Sequence, residues 1–400
     1  MRTSLTNVFW QLIAQGLNLS IPLIVLRIVL SNITFDEYGE IAIILSLIGF
    51  VKVIIDFGFN IKGVSILYQE KDISKHKTTV FEIFIIRILI SLAVIIIISL
   101  VFLFTEKHIE ILPFLVIILL SSSFNINYLF NFQEKSQYLT FISFLEKSIL
   151  LVLLYFVFKE NISTKTYILS LSVSTILTIL TNLLFFNKSF KSQRIEFDFK
   201  HLKYLMQLGF QQLQFNFINC VYTFSIIPII AALIGTQEAG IYSTAEKIIK
   251  AFQIVLQPII NGLQKYFLSL RTNKKLKVYF YSGLLILPIV ILIILYSDLL
   301  SKLVSNSNNL LISQIIQILS ISVLSSYSLS FVTVNIFTPL NMERKVSKDF
   351  GIILLIFLIL CSTINLNNII QFSWLIFCFE MSLLILVFKN LKAIPNVKEI

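Results

Sequence analysis

Residues 21–44 read IPLIVLRIVLSNITFDEYGEIAII. Two continuous apolar runs meet there at a short acidic turn, Phe35-Asp36-Glu37-Tyr38-Gly39, and Arg27 stands where another leucine would be expected. A barrel strand would alternate apolar and polar residues over about 10 positions, so runs of this kind point to helices instead. A bilayer core of about 30 Å needs about 20 apolar residues to cross it as a helix. Read with that ruler, the stretch is the end of one membrane helix, an outer hairpin and the start of the next.

The remainder of the chain has the same character. Of its 400 residues 57% are hydrophobic and only 13% charged, with a mean hydropathy of +0.90; a soluble domain carries roughly 25% charged residues. The sequence therefore predicts an all-α polytopic membrane protein. About twelve spans are expected, near residues 7–30, 40–60, 80–104, 111–131, 139–158, 166–186, 204–234, 240–268, 278–297, 311–337, 349–366 and 370–389. The first is too long for a signal-peptide core and lacks a small-residue cleavage site, so it is expected to be retained. Cys220, Cys361 and Cys378 all fall within apolar stretches, as small buried hydrophobes do, and suggest neither a disulfide nor a metal set.

The basic residues alternate along the chain. Loops holding Lys62, Lys71, Lys75, Lys77, Lys188, Lys191, Arg194, Lys274, Lys275, Lys277, Arg344, Lys345 and Lys348 lie on one side, whereas the opposite loops hold only Lys107, Lys159, Lys165 and Lys302. By the positive-inside rule both termini are expected in the cytoplasm. The net charge of +11 then follows from topology and calls for no nucleic-acid partner.

The longest loop divides the sequence into two halves: an N-terminal six-helix bundle (1–190), a cytoplasmic loop (191–203) and a C-terminal six-helix bundle with a short tail (204–400). The halves look related. Phe35-Asp36-Glu37-Tyr38-Gly39 follows the first helix of one half, and Thr236-Gln237-Glu238-Ala239-Gly240 follows that of the other. Those first helices carry Pro22 and Pro228, and each has a stripe of amides: Asn7, Gln11, Gln15 and Asn18 in one, Gln207, Gln211 and Gln214 in the other. Spaced by three and four residues, each set falls on one helix face. A polar stripe on a membrane helix faces protein or water, and proline-interrupted helices at matching places in two halves point to a transport pathway. Helix glue and kinks would explain either helix taken alone.

Eleven charges fall within the spans: Arg27, Lys52, Arg87, Lys147, Lys247 and Lys250, with Asp56, Glu82, Glu146, Glu246 and Glu380. At the bilayer centre each costs about 2.5 kcal/mol or more, so function is the default reading. Arg27, Arg87 and Glu82 are near enough to span ends to snorkel. Lys52 lies about 18 Å into its helix; one turn from Asp56, the two are spaced to neutralise each other, as are Glu246 and Lys250. Glu146 and Lys147 are adjacent and cannot face each other. Glu380 has no local cation and reads either as a protonated, hydrogen-bonded carboxyl or as a proton-coupling site.

The sequence has no Walker A motif, Gly-rich nucleotide loop, HExxH, CxxC or nucleophile elbow. No catalytic or metal-binding residues and no cofactor are expected, and the short outer loops leave no room for an extracytoplasmic enzyme domain.

Pro-Leu-Ile-Val-Leu-Arg-Ile-Val-Leu (22–30), Asp-Glu-Tyr-Gly (36–39) and Asp-Phe-Gly-Phe-Asn (56–60), with the segment from Pro228 through Gly235 and Gly240 to Ala245, resemble the polysaccharide exporters of the Wzx-type O-antigen flippases in the multidrug/oligosaccharidyl-lipid/polysaccharide (MOP) superfamily. The resemblance implies two six-helix bundles around a central cavity, in the bacterial inner (cytoplasmic) membrane. It implies alternating access carrying undecaprenyl-pyrophosphate-linked oligosaccharide, an O-antigen or capsular repeat unit, to the periplasmic leaflet. Partners would then be that substrate, the bilayer and other polysaccharide-assembly proteins, with coupling to a proton or a sodium gradient left open. On this reading the family's first-helix arginine falls on Arg27 and its second-helix aspartate on Asp56. Lys52, Arg87, Lys147, Lys247 and Lys250 would meet the anionic head and the amides the sugars, with Glu146, Glu246 and Glu380 as ion-coupling candidates. A multidrug antiporter of the same superfamily is the nearest alternative, and a membrane oligosaccharide polymerase a more distant one.

Overall fold

The computed structural model describes residues 16, 20–70, 72, 75–106, 109–133, 135–190, 197–262, 272–305, 309–337, 343–364, 366 and 368–392. Gln11, Gln15 and Asn18, three of the expected amide-stripe residues, lie outside them, as does Asn7. The described residues are almost wholly helical: α1 (Ser20–Leu30), α2 (Phe35–Asp56), α3 (Phe59–Gln69), α4 (His76–Thr105), α5 (Leu112–Ser123), α6 (Asn127–Phe132), α7 (Ser136–Val152), α8 (Thr164–Ser189), α9 (Phe199–Leu233), α10 (Thr236–Gly262), α11 (Thr272–Leu295), α12 (Ser297–Ser305), α13 (Leu310–Leu319), α14 (Ile321–Val332), α15 (Glu343–Thr363) and α16 (Ile369–Lys392). Ten of the segments they form are long and apolar enough to cross a membrane. Residues Ser20–Leu30 form a shorter apolar helix. Helix α10 is missing from the ten because Glu238, Glu246, Lys247 and Lys250 lower its hydropathy.

By their contacts the helices fall into two compact units. One holds α1 and Ile43–Ser225; the other holds Ile33–Ala42 and the chain from Ile226 onward. The first two turns of α2 thus belong with the C-terminal unit and the rest of α2 with the N-terminal one.

The acidic turn of the opening stretch is a helix start. Thr34 and Glu37 form a capping box: the Glu37 amide donates to Thr34 Oγ1 (3.3 Å), and the Thr34 amide to Glu37 Oε2 (2.9 Å). Asp36 and Glu37 in the first turn also suit the positive end of the helix dipole. In the C-terminal unit this turn packs against the first turn of α10 in a reciprocal way. A Cβ on Gly39 would overlap the carbonyl oxygen of Thr236, and one on Gly240 would overlap that of Phe35, each four residues before the opposite glycine. The hydroxyl of Thr236 donates to Asp36 Oδ1. The two Glu-x-Gly turns thus meet in a seam of backbone on backbone that only glycine permits.

Helix α2 ends where Phe57 and Gly58 take left-handed conformations, φ 51° and 80°, and α3 continues beyond the corner. This corner rests on α9, where a Cβ on Gly209 would stand 2.9 Å from the Phe57 carbonyl oxygen. The N-terminal unit's core is aromatic and aliphatic, with Phe59, Ile83, Tyr128, Leu129, Phe130 and Leu205 all wholly buried. In the C-terminal unit Tyr279, Tyr327 and Phe331 cluster between α11 and α14, and Phe357 packs on Phe379 with ring centroids 4.9 Å apart.

One helix is broken inside the N-terminal unit. Between α5 and α6 the chain leaves the helix at Phe124–Ile126, and Asn125 Oδ1 accepts from the Asn127 amide at 2.9 Å across the interruption. Non-helical backbone at membrane depth requires internal partners for its polar groups. Arg87 of α4 supplies one by donating to the Asn125 carbonyl. The same guanidinium donates to the carboxylate and the carbonyl of Asp56, and it lies over the rings of Phe59 and Tyr128.

Candidate functional site: a polar cavity in the N-terminal unit

A cavity of about 460 Å³ lies within the N-terminal unit. Its lining comes from four places: Lys52, Asp56 and Asn60 on α2–α3; Ser121, Ser122, Asn125, Asn127 and Asn131 around the broken helix; Leu139, Thr140, Ile142, Ser143 and Glu146 on α7; and Thr175, Thr178 and Asn182 on α8. The periodicity explains why these residues converge. Lys52 and Asp56, Leu139, Ile142 and Glu146, and Thr175, Thr178 and Asn182 each recur at three- or four-residue steps, which places each set on one face. Among the described residues of the lining only Leu139 and Ile142 are apolar and none is aromatic, so a polar space lies between helices that are otherwise rich in hydrocarbon side chains.

Most of the lining hydroxyls have committed their hydrogens to their own helices. Ser121 donates to Ile118 O (2.6 Å), Thr175 to Ser172 O (2.8 Å) and Thr178 to Thr175 O (2.7 Å). What they present to the cavity is oxygen lone pairs. Asn60 Oδ1 and Asn182 Oδ1 are buried with no hydrogen-bond partner among the described residues, and Asn182 as a whole is 6% exposed. With the carboxylates of Asp56 and Glu146, the wall is rich in acceptors.

The ion pairs differ from those the i, i+4 rule suggests. Asp56 pairs with Arg87, whose side chain is fully buried, not with Lys52 one turn away. Lys52 and Glu146 of α7 both line the cavity. Arg87 does not reach the headgroups, because the broken helix and Asp56 hold it inside. Glu82, also expected to snorkel, is wholly buried: it accepts from His201 Nδ1 at 2.5 Å and from the Asp198 amide at 3.2 Å, tying the start of α9 to α4. His201 and Asp198 were not among the candidates, since a contact across more than 100 residues leaves no local trace.

The other candidates have the following places. Arg27 is exposed on α1, and Gln207, Gln211 and Gln214 are exposed on α9. Lys147 is half-buried and outside the cavity lining. In the C-terminal unit Glu246 and Lys250 pair at 2.9 Å, as their spacing predicts. Lys247 lies over the ring of Tyr38, 5.0 Å from its centroid. Glu380 is buried and accepts from the Ser325 hydroxyl. Cavity residues Asn60, Asn125, Asn127, Asn131, Thr175, Thr178 and Asn182 were not singled out from sequence. The Asn125-Ile126-Asn127 interruption of an apolar span was the visible signal.

A family profile described as "Polysaccharide biosynthesis protein" matches residues 4–263. The chain belongs to that family. No curated protein is significantly similar to it in sequence. Among solved structures, an inward-facing multidrug resistance MATE transporter of the MOP superfamily aligns with TM-score 0.73 at 12% identity, covering 96% of both chains. The lipid II flippase MurJ in an inward closed conformation aligns with TM-score 0.73 at 14% identity, over 98% of this chain and 87% of MurJ. A MOP superfamily transporter from Pyrococcus furiosus gives 0.62 at 11% identity, covering 98% and 96%. At such identities the likeness is one of fold. This member of the polysaccharide biosynthesis family is an all-helical, multi-pass membrane protein with the fold of MOP transporters and flippases.

Proposed function

We propose that the protein is a flippase that carries undecaprenyl-pyrophosphate-linked oligosaccharide, an O-antigen or capsular repeat unit, from the cytoplasmic to the periplasmic leaflet of the bacterial inner membrane. The observation that carries this reading is the family match over residues 4–263. A fold shared with a lipid II flippase supports it, because lipid II is itself a lipid-linked saccharide. The chemistry fits. A saccharide offers many hydroxyl donors and acceptors, and a cavity walled by amides and hydroxyls can exchange hydrogen bonds with them in place of water. A pyrophosphate is a dense anion, and cations in a partly desolvated space bind it more strongly than they do in bulk water. The polyprenyl tail stays in the bilayer, with both chain termini in the cytoplasm by the positive-inside rule.

The test is deletion of the gene in its host, followed by measurement of which leaflet holds the undecaprenyl-pyrophosphate-linked oligosaccharide. Accumulation on the cytoplasmic leaflet, reversed by the wild-type gene, is the expected result. Normal appearance on the periplasmic leaflet excludes the protein as the sole flippase and favours a drug or ion antiporter with the same fold.

A further inference from the structure

We infer that the N-terminal cavity is a sugar site: it takes an uncharged, hydroxyl-bearing saccharide ring and leaves the pyrophosphate outside. This rests on a lipid-linked oligosaccharide being the substrate, and it names the part of that substrate which the cavity holds.

Two atoms of the wall set the requirement. Asn60 Oδ1 and Asn182 Oδ1 are buried with no hydrogen-bond partner among the described residues, although buried amide oxygens are seldom left unpaired. Both residues line the same cavity, Asn60 from α3 and Asn182 from α8, and Asn182 is 6% exposed. A carbonyl oxygen only accepts, so what each of them lacks is a donor. Thr175 and Thr178, which share the wall, spend their hydrogens on carbonyls of α8. An ionised pyrophosphate has acceptor oxygens and no hydrogens to give, and here it would also face the carboxylates of Asp56 and Glu146. A sugar hydroxyl donates and accepts at once. It therefore serves the orphaned oxygens and also meets the donors of the wall, the Lys52 ammonium and the asparagine amide nitrogens.

A small metal cation is also drawn to oxygen, but this site is built on another scale. Its volume of about 460 Å³ is that of an organic-ligand pocket, about 300–1,000 Å³, whereas a bound ion needs several oxygens within about 2–2.6 Å. Among the described residues no three Asp, Glu, His or Cys side chains gather as a metal set, and the lining already includes the cation Lys52. Because the described lining holds no ring for a sugar to stack on, recognition falls to hydrogen bonds exchanged with water. Free sugars are accordingly expected to bind weakly, at about millimolar concentration.

Saturation-transfer NMR reads binding of that strength, on the purified protein in a detergent without a sugar headgroup. The probes are methyl glucoside, methyl N-acetylglucosaminide, the fully O-methylated glucoside and inorganic pyrophosphate. Saturable transfer to a hydroxyl-bearing sugar, its loss on O-methylation and no displacement by pyrophosphate are expected. Asn182→Leu and Asn60→Leu should each weaken sugar binding about tenfold or more, while Leu180→Ala, exposed on α8, should leave it unchanged. No saturable transfer to either sugar, equal transfer to the O-methylated glucoside, displacement by pyrophosphate, or undiminished binding in folded Asn60→Leu and Asn182→Leu overturns the inference. So does a saturable sodium-dependent rise in melting temperature that Asn182→Leu abolishes, which would give the cavity to a cation. The O-methylation comparison uses the wild type alone and decides the matter even if neither variant folds. The flippase reading fails separately. Sugar bound in this cavity with a normal leaflet distribution in the deletion host would leave the site standing and remove the flippase; cytoplasmic accumulation with no sugar bound would do the reverse.

Discussion

Arg87 on α4 donates through Nε to the Asp56 carbonyl at 3.3 Å and through a second nitrogen to the Asp56 carboxylate, from a position with no solvent exposure. Its remaining reach goes to the Asn125 carbonyl, where a membrane helix is broken. A single planar, forked cation therefore neutralises a half-buried acid and satisfies freed backbone at two helix interruptions. Lysine, a point charge with three donors on a flexible stem, cannot span these acceptors in the same way.

Removing the guanidinium by Arg87→Met leaves the half-buried Asp56 without its cation, which costs less than the about 3–5 kcal/mol of breaking a fully buried pair. Purified Arg87→Met is expected to melt well below the wild type, and Arg87→Lys to recover only part of the loss. Arg87→Met/Asp56→Asn should be more stable than Arg87→Met, because the stranded charge is gone. Equal melting of the single and double variants would mean that the pair is not what holds this corner.

The Gly39–Gly240 seam gives a steric prediction. Alanine at either position would overlap a main-chain carbonyl of the facing helix, so backbone must move and the first turns of α2 and α10 separate. Gly39→Ala and Gly240→Ala should each lower the melting midpoint. Gly283→Ala on α11 is the control: a Cβ there meets nothing within 4 Å. Alanine in a helix interior is favoured over glycine by about 0.5–1 kcal/mol, so this variant should hold or raise the midpoint.

Spans were legible because their signal is local. The expected helix at 80–104 is α4, His76–Thr105, and that at 204–234 is α9, Phe199–Leu233. Apolar length alone sets such elements. The i, i+4 rule found Glu246 with Lys250 but misassigned Asp56, because Asp56 is the last residue of α2, where the chain turns and a cation arrives from another helix. Snorkelling failed for Arg87 and Glu82 for a related reason. A charge near a span end goes to water only if no neighbouring element covers it, and here the broken helix covers one and the start of α9 the other. The cavity was half legible: Lys52, Asp56 and Glu146 stood out as charges, while its asparagines and hydroxyls are individually ordinary in membrane helices.

Glu82 and His201 form a second long-range tie that can be weighed by itself. The carboxylate is fully buried, with His201 and the Asp198 amide as its donors. His201→Ala removes one donor from a buried acceptor and should cost about 1–3 kcal/mol. Once Glu82 is replaced by Leu, adding His201→Ala should cost much less, because no buried carboxylate then waits for a donor. A double-mutant cycle by thermal melting measures the difference, and strict additivity would show that the contact carries no coupling energy.

Asn182 separates function from stability. Its Oδ1 is buried, unpartnered among the described residues and part of the cavity wall. Replacing a buried polar group that lacks a partner by an apolar one of similar size removes a desolvation penalty, so Asn182→Leu should leave the melting midpoint unchanged or raise it. The same change puts hydrocarbon where hydrated ligand groups would be exchanged. If the cavity belongs to the transport cycle, Asn182→Leu expressed at wild-type level should fail to restore periplasmic lipid-linked oligosaccharide in a deletion host. Leu180→Ala, on the exposed side of the same helix, should restore it. Full complementation by Asn182→Leu would remove the cavity from the transport pathway and leave it as a structural feature of the N-terminal unit.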